Sequence, residues 1–357
     1  MTHSQFKSTN AKTSYIISQP NILFKDILFS TLFYRAFKVI FMSISVFYVG
    51  SLSAKSAPVW HMINCNTITQ GDCHLLEDNS VYTLIDVGEA RVAQNTLIPY
   101  LSNKGIDVIE HLFISHPHTD HYGGLESLAL AGISVRNIYH NGLPKDVSDF
   151  NYKPEIFNKL LDSYKANGTQ IIDVNKGFTL NLPNSRLFVL DAKKERQKDV
   201  NDYSIQMAWD AGGYRSLFTG DLNNNLGSKL AHNPEYQADI LKVPHHGVKG
   251  IAPDSFFDNV GPSLLMVPST RALWYHPRGV QVRNWAIKNW DEKNTHVCNN
   301  GFNGSVRIYF YESYLDLDPE IPNGTCPRIK WKLKPKVTPV LSAKKVSLSQ
   351  ISLLLDD

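Results

Sequence analysis

Four potential metal ligands fall within six consecutive residues of this 357-residue chain. The imidazole and carboxylate groups that these side chains carry bind divalent metals such as zinc, and a short loop can present them to two ions at once. A group of surface histidines on a polar loop is the alternative. With 13 histidines in the whole chain, however, three of them in this register beside an aspartate favour a metal site. The four residues are His116, His118, Asp120 and His121.

The position of this loop in the chain also indicates a ligand site. Residues 109–114 form an apolar run typical of a buried strand, and residues 123–130 have the pattern of a helix start. The loop therefore lies at the carboxyl end of a strand, which is where α/β folds commonly bind ligands. Residues 81–86, 214–218 and 240–243 are predicted to be further strands.

Three other short motifs accompany the histidine loop. The first is Gln70-Gly71-Asp72, which precedes a strand that ends at Asp86. The others are Thr219-Gly220-Asp221 and Val243-Pro244-His245-His246-Gly247, each at the end of a predicted strand. Together with the histidine loop, this set resembles the metallo-β-lactamase superfamily. Over about residues 58–311 it is most similar to the hydrolase domain of ComEC-type competence proteins and their stand-alone relatives. The resemblance implies an α/β fold, the four-layer αββα sandwich.

The resemblance also implies a ligand set for two divalent metals, with zinc as the first choice and manganese as the second. His116 and His118 would hold the first metal, Asp120 and His121 the second, and Asp221 would bridge them. His246 is expected to bind the second metal, while Asp86 and His245 orient the ligands. Asp120 is expected to be essential for catalysis.

One departure from the superfamily pattern concerns the third ligand of the first metal. Lactamases, lactonases and glyoxalases of this family have a histidine about 20 residues before the Thr-Gly-Asp motif, but residues 199–204 contain none. Asp202, or Asn201, is the predicted replacement, and an oxygen donor would make the site more tolerant of manganese or magnesium. The alternative is that Asp202 is a cap or turn residue.

The predicted reaction is hydrolysis by a water that two neighbouring metals activate. His276 is the candidate that protonates the leaving group, because a Tyr-x-His-Pro-like turn recurs in ComEC-like domains; the alternative is a partly exposed structural histidine. The preferred substrates are phosphodiesters in a nucleic acid, a nucleotide or a phosphorylated envelope component. Two alternatives remain open, a β-lactamase or lactonase and a non-catalytic metal-binding module of the same fold.

The N-terminal region predicts export. Residues 39–52 are a 14-residue apolar stretch with a basic flank before it and small residues after it. This length is typical of a signal-peptide core and short for a membrane span, so residues 1–57 are predicted to be a signal peptide, with an uncleaved anchor as the alternative. An oxidising compartment would let Cys298 pair with Cys326 and Cys65 with Cys73, although free buried thiols remain an alternative.

The charges are unevenly distributed along the chain. Residues 58–327, the predicted hydrolase domain, hold 23 basic and 30 acidic side chains, so this part lacks the basic excess of a nonspecific nucleic-acid binder. Residues 328–357 are a basic tail in which charged and apolar residues alternate at the start. We expect an edge strand protected by lysines there, and a cationic face for an anionic surface is the alternative. The membrane is expected to be a partner only through the N-terminal segment.

Overall fold

The computed structural model describes residues 56–64, 71–144, 147, 149, 151–248 and 250–336. Residues 1–55 of the predicted export signal, with its apolar core at 39–52, lie outside these residues, and so do Cys65, Gln70 and residues 337–357. Within the described ranges, no helix combines the length and the apolar character needed to cross a bilayer.

Sixteen strands are found in the described residues. In chain order they are β1 (Val59–Met62), β2 (His74–Asp78), β3 (Val81–Ile85), β4 (Val108–Phe113), β5 (Ser134–His140), β6 (Gln170–Asp173), β7 (Thr179–Asn181), β8 (Ser185–Asp191), β9 (Gln206–Ala211), β10 (Tyr214–Phe218), β11 (Ile240–Lys242), β12 (Leu264–Val267), β13 (His296–Asn299), β14 (Val306–Tyr311), β15 (Tyr314–Pro319) and β16 (Ile329–Trp331).

These strands form two mixed sheets. The first has nine strands in the order β16-β15-β14-β1-β2-β3-β4-β5-β6, and the second has seven in the order β13-β12-β11-β10-β9-β8-β7. Strands β3 to β6 are parallel to one another, as are β10 to β13. In each sheet the carboxyl ends of these neighbouring strands therefore lie on the same side.

Helices cover the outer faces of both sheets. They are α1 (Ala90–Val92), which continues through a π-helical turn (Ala93–Leu97) into α2 (Ile98–Asn103), then α3 (Thr119–Tyr122), α4 (Leu125–Leu130), α5 (Pro154–Ala166), α6 (Asn224–Leu230), α7 (Asp254–Val260), α8 (Arg271–Tyr275), α9 (Val280–Lys293) and α10 (Asn300–Asn303). Short 3-10 turns lie at Asn201–Tyr203, Pro234–Tyr236, Pro244–Gly247 and Pro277–Gly279.

Alternation along the strands produces three apolar layers. Side chains of a strand point to opposite faces in turn, so neighbours enter different cores. Ile85 and Phe218 belong to the core between the sheets. Leu84 packs outward against the helices of the first sheet, and Leu217 outward against those of the second. Two sheets enclosed by two helical layers are the four-layer αββα sandwich, and the predicted fold class is confirmed.

The first sheet continues beyond residue 327, the predicted end of the hydrolase domain. Strand β16 lies at the edge of that sheet, beside β15. Arg328 Nε donates to Asp318 Oδ1 at 2.7 Å, and Lys330 Nζ lies 5.8 Å from the centre of the Tyr314 ring. The predicted edge strand at the start of the basic tail is therefore confirmed.

Two interactions outside the strand ladders hold the domain together. A disulfide joins Cys298 in β13 to Cys326, with 4.9 Å between the two Cα atoms, and confirms that predicted pair. In the first sheet, Glu77 Oε2 of β2 lies 3.2 Å from His61 Nε2 and 3.1 Å from Lys104 Nζ. The hydrogen bond with His61, aided by Lys104 and opposed by burial, lowers the pKa of Glu77 from 4.5 to about 2.

Candidate metal centre

Most of the predicted metal ligands meet where strands of both sheets end. Asp86 follows β3 and the histidine loop follows β4 in the first sheet, while Asp221 follows β10 and His246 follows β11 in the second. Two short parallel strand groups therefore deliver their carboxyl ends to one buried place between the sheets. This position agrees with the expectation from the strand-end motifs.

The backbone around the centre is held in conformations that few residues adopt. Asp86, His245 and His246 have φ values of 60°, 46° and 52°, in the left-handed region that side chains with a Cβ disfavour. Gly220 also has a positive φ of 50°, and a Cβ there would lie 2.6 Å from Ser204 Oγ, so only glycine fits. Such local strain is typical of sites where the direction of a side chain matters more than its conformational cost.

Four side chains form a compact group of potential ligands. One ligand atom from each lies within 4.8 Å of the others, and all four residues are buried. Asp221 Oδ2 is central, because it lies 3.2 Å from His121 Nε2 and 3.3 Å from His246 Nε2. Asp120 Oδ2 lies 3.4 Å from His246 Nε2. The structure thus brings together four of the seven residues predicted as metal ligands: Asp120, His121, Asp221 and His246.

The bonding of these atoms fits a divalent cation. Nε2 of His121, Nε2 of His246 and Oδ1 of Asp221 are buried and have no hydrogen-bond partner among the described residues. Leaving buried polar atoms unsatisfied costs free energy that a bound ion would recover. Imidazole and carboxylate donors at these separations are those that zinc and manganese use.

His116 and His118 lie beside this group. His116 Nε2 is 4.0 Å from Asp221 Oδ2 and 3.0 Å from His118 Nδ1. His118 Nε2 in turn faces Asp149 Oδ1 at 3.4 Å. Burial, with the nearby imidazoles of His121 and His118, lowers the pKa of His116, and burial also lowers the pKa of His118. Both rings are therefore neutral near pH 7, which is the form that binds a metal.

Asp86 and His245 contact the ligands from the outside. Asp86 Oδ2 lies 2.8 Å from His121 Nδ1, and its two oxygens accept from the N–H and the hydroxyl of Ser115, both at 2.7 Å. With Nδ1 engaged, Nε2 of His121 is left facing Asp221. His245 Nδ1 lies 3.1 Å from Asn223 Oδ1, and its Nε2 is 3.9 Å from Asp221 Oδ2.

Two buried charges at the centre were not among the predicted site residues. Asp72 Oδ1 lies 3.2 Å from His246 Nδ1, and together with Asp86 and His121 it forms a second group of potential ligands. Lys242, only 1% exposed, pairs with Asp72, donates to the carbonyl of Gly220 at 2.9 Å and lies 3.6 Å from Asp221 Oδ1. The Gln-Gly-Asp motif, and a lysine ending an apolar strand, were the available signals.

Charge pairing outweighs burial in this centre. Burial would raise the pKa of Asp221, but His246 and His121 hold it well below its usual range, and Lys242 and His246 do the same for Asp72. Burial would lower the pKa of His121 and His246, but Asp221, with other nearby carboxylates, raises both. Protons and metal ions therefore compete for these two rings, and metal affinity should rise with pH.

The structure does not bring Asp202 into either group of candidate ligands. Its carboxylate accepts from the N–H of Asn223 and from the side-chain amide of Asn225, both at 3.3 Å, just before and within the first turn of α6. Burial, with the nearby Asp199, raises the pKa of Asp202. These contacts correspond to the cap and turn alternative, because helix-start N–H groups attract short acidic side chains.

His276 is also not connected to the centre by the contacts of the described residues. The ring is exposed, and its Nδ1 accepts from the N–H of Arg278 at 3.2 Å. It thereby caps the 3-10 turn Pro277–Gly279. This contact corresponds to the alternative of a partly exposed structural histidine.

Parts of this chain are similar in sequence to known proteins. Residues 66–173 match the sequence profile of the metallo-beta-lactamase superfamily. ComE operon protein 3 of Bacillus subtilis is 27% identical over 187 residues, which are 52% of this chain and 23% of that protein. Recombination protein 2 of Haemophilus influenzae is 24% identical over 268 residues, 73% of this chain and 30% of that protein. The chain thus spans less than a third of either relative.

A solved structure is similar as well. The metallo-beta-lactamase fold protein YhfI from Bacillus subtilis aligns with a TM-score of 0.46 and 15% identity, over 68% of this chain and 96% of that chain. The sequence match agrees with the αββα sandwich and the buried His/Asp group. Residues 66–173 match the metallo-β-lactamase superfamily, whose members are metal-dependent hydrolases, and the similar curated proteins are ComEC-type competence proteins.

Proposed function

We propose that this protein is an exported hydrolase of phosphodiester bonds that uses two divalent metal ions. The observation that carries the proposal is the place of Asp221, whose Oδ2 lies within 3.3 Å of Nε2 of both His121 and His246 and 4.0 Å from Nε2 of His116. A carboxylate in that position is able to bridge two ions. His116 and His118 would hold one of them, and Asp120, His121 and His246 the other.

The donor set favours phosphodiesters over lactams or lactones. The six residues 199–204 supply no histidine, and Asp202 is engaged by the start of α6, so the first metal has fewer nitrogen donors than the superfamily pattern provides. Oxygen-rich sites suit harder ions such as manganese, which are common partners of phosphate groups. The names of two similar proteins, Recombination protein 2 of Haemophilus influenzae and Competence protein ComA of Neisseria gonorrhoeae, also favour nucleic acid or nucleotide among the possible phosphodiesters.

The residues of the chain have separate tasks in such a reaction. Two bound ions would supply Lewis acidity to the phosphoryl oxygens and an activated water. Asp86 fixes the ring of His121, and Lys242 offsets the charge of Asp72 and Asp221. His245, held by Asn223, keeps Nε2 3.9 Å from Asp221 Oδ2 and is placed to contact the substrate or its leaving group.

The first test is turnover of bis-p-nitrophenyl phosphate by the full chain, with zinc or manganese added. We expect measurable hydrolysis that Asp120→Ala lowers by at least about a hundredfold, because a metal ligand is lost. Asp162→Ala is the matched control, since this exposed aspartate lies on α5. Equal turnover by the Asp120→Ala protein would remove the centre from catalysis. Hydrolysis of a chromogenic cephalosporin without phosphodiester hydrolysis would favour a lactamase, and no turnover of either would favour a binding module.

Export is the second part of the proposal. It is supported by the pattern of residues 1–57 and by the Cys298–Cys326 disulfide, since disulfides persist in oxidising compartments. Cell fractionation should find the protein outside the cytoplasm, and deletion of residues 39–52 should retain it inside. Recovery of both forms in the cytosol with free thiols would contradict export.

A further inference from the structure

A cleft of about 480 Å³ opens beside the second sheet. Helices α8 and α9, the end of α10 and the end of β13 supply walls of the cleft. Four aromatic side chains line it, which gives it apolar surfaces suited to a flat ligand. Two of them meet edge to face, Tyr275 and Phe302, with 5.7 Å between ring centres and 85° between the planes. The other two are Trp274 and Trp290.

A buried hydrogen-bond donor also lines this cleft. Asn299, the last residue of β13, is only 3% exposed. Its side-chain oxygen accepts from the N–H of Gly301 at 2.8 Å, which fixes the orientation of the amide. The side-chain nitrogen has no hydrogen-bond partner among the described residues. A buried donor without an acceptor costs free energy, which a ligand acceptor in the cleft would recover.

The sheet brings the backbone of Asn299 to the same strand ends as the candidate metal centre. Strands β11, β12 and β13 are parallel neighbours, with Lys242 opposite Met266 and Met266 opposite Cys298. Asn299 is the next residue after Cys298, and His246 follows Lys242 by four residues. Because neighbouring strands lie about 4.8 Å apart, the end of β13 is about 10 Å from the end of β11. The cleft and the centre therefore both lie at the carboxyl ends of strands of the second sheet.

Positive charge lies at the same place. The guanidinium carbon of Arg271 is 5.1 Å from the centre of the Phe302 ring, and Arg283, which also lines the cleft, donates to the carbonyl of Trp274. The predicted hydrolase domain is acidic as a whole, so arginines beside an aromatic cleft are a local departure from its charge. An aromatic ligand that carries a negative group matches this combination.

We propose that the cleft binds a nucleobase of the substrate, stacked on the aromatic side chains and accepting a hydrogen bond from the Asn299 amide. The inference rests on the proposed phosphodiester hydrolysis and adds that the substrate is a nucleotide or nucleic acid. Each base has a flat face for stacking and a carbonyl oxygen or ring nitrogen that can accept. A bound nucleotide would then place a phosphate toward the ends of β10 and β11, where Asp221 and His246 lie.

The test separates substrate with a base from substrate without one. The full chain is assayed on thymidine 5′-(p-nitrophenyl phosphate) and on methyl p-nitrophenyl phosphate. Asn299→Asp keeps the oxygen that accepts from Gly301 and replaces the donor by a second oxygen; assays at pH 8.5 keep the new carboxyl ionised. We expect its KM for the thymidine ester to rise about tenfold or more, as for a lost hydrogen bond, with kcat nearly unchanged.

A second variant and a control variant test whether misfolding, instead of lost base binding, causes this result. Tyr275→Ala removes an exposed ring, 63% accessible, and should also raise KM for the thymidine ester about tenfold through lost stacking. Asn103→Asp adds the same charge at an exposed asparagine at the end of α2 and should change the KM for neither ester. Both cleft variants should hydrolyse the methyl ester at the rate of the unaltered protein. Equal effects on the two esters, or no effect on either, would overturn the cleft as a base site.

A binding measurement separates this inference from the proposed function. Trp274 and Trp290 line the cleft, so thymidine 5′-monophosphate should quench tryptophan fluorescence in the unaltered chain, and about tenfold more ligand should be needed in Tyr275→Ala. Binding without any phosphodiester hydrolysis would overturn the proposed reaction and keep the base site. Hydrolysis of both esters without nucleotide binding would overturn the base site and keep the proposed reaction. Quenching by maltose but not by the nucleotide would show a saccharide site and contradict the inference.

Discussion

Replacement of Lys242 by methionine should strongly destabilise the protein when no metal is bound. The lysine and Asp72 are each 1% exposed, and Lys242 Nζ pairs with that carboxylate while lying 3.6 Å from Asp221 Oδ1. Methionine preserves the length and apolar stem of the side chain but removes the charge. Breaking a buried pair from one side leaves an uncompensated charge, which costs about 3–5 kcal/mol of unfolding free energy.

A double-mutant cycle measures this coupling. Urea unfolding of the full chain with chelator, followed by tryptophan fluorescence, gives the free energy for Lys242→Met, for Asp72→Asn and for both together. The double variant should lose clearly less than the sum of the single variants, since neither charge is then left alone. Lys159→Met, at an exposed position on α5, is the control. A Lys242→Met protein within about 1 kcal/mol of the unaltered chain, well below the cost of an unpaired buried charge, would refute the reasoning.

Three further outcomes follow from the contacts. Asp86→Asn should weaken metal affinity about 10–100-fold by loosening His121, as calorimetric titration would show; unchanged affinity would contradict its orienting role. Glu77→Gln should cost about 1–2 kcal/mol at pH 7, after allowance for solvent screening. Because the folded-state pKa of Glu77 is lowered to about 2, the difference should shrink as pH falls from about 4.5 towards 2, and a constant difference in urea unfolding would disagree. Reducing the Cys298–Cys326 bond, 28 residues apart, should cost about 3–4 kcal/mol in the same assay, with Cys→Ala at both positions insensitive to reductant.

Much of the fold followed from local sequence pattern. The strands predicted at 81–86, 109–114, 214–218 and 240–243 are found at Val81–Ile85, Val108–Phe113, Tyr214–Phe218 and Ile240–Lys242. They are short apolar runs with polar motifs at their ends, so their boundaries are marked in the sequence. The motifs at those ends also predicted which residues would meet, because parallel strands deliver their carboxyl ends to one edge.

Other parts depend on contacts between distant residues. Strand β1 pairs with β14 across more than 240 residues of chain, and its four buried residues carry no alternation that would mark a strand. Lys242 could not be recognised as a buried charge, since its partner Asp72 lies 170 positions earlier. Asp202 precedes the Thr-Gly-Asp motif as a ligand would, but the turn that leads into α6 engages its carboxylate. Asn299 is a candidate site residue only because the fold brings its amide to the aromatic cleft, which no local pattern predicts.

The most direct test of the account is the metal content of the full chain and of Asp221→Asn. Elemental analysis after dialysis against zinc or manganese should give two ions per unaltered chain. The variant should retain at most one, because the carboxylate between His121 and His246 loses its charge. Two ions in both proteins, or none in the unaltered chain at micromolar metal, would contradict a binuclear centre built around Asp221.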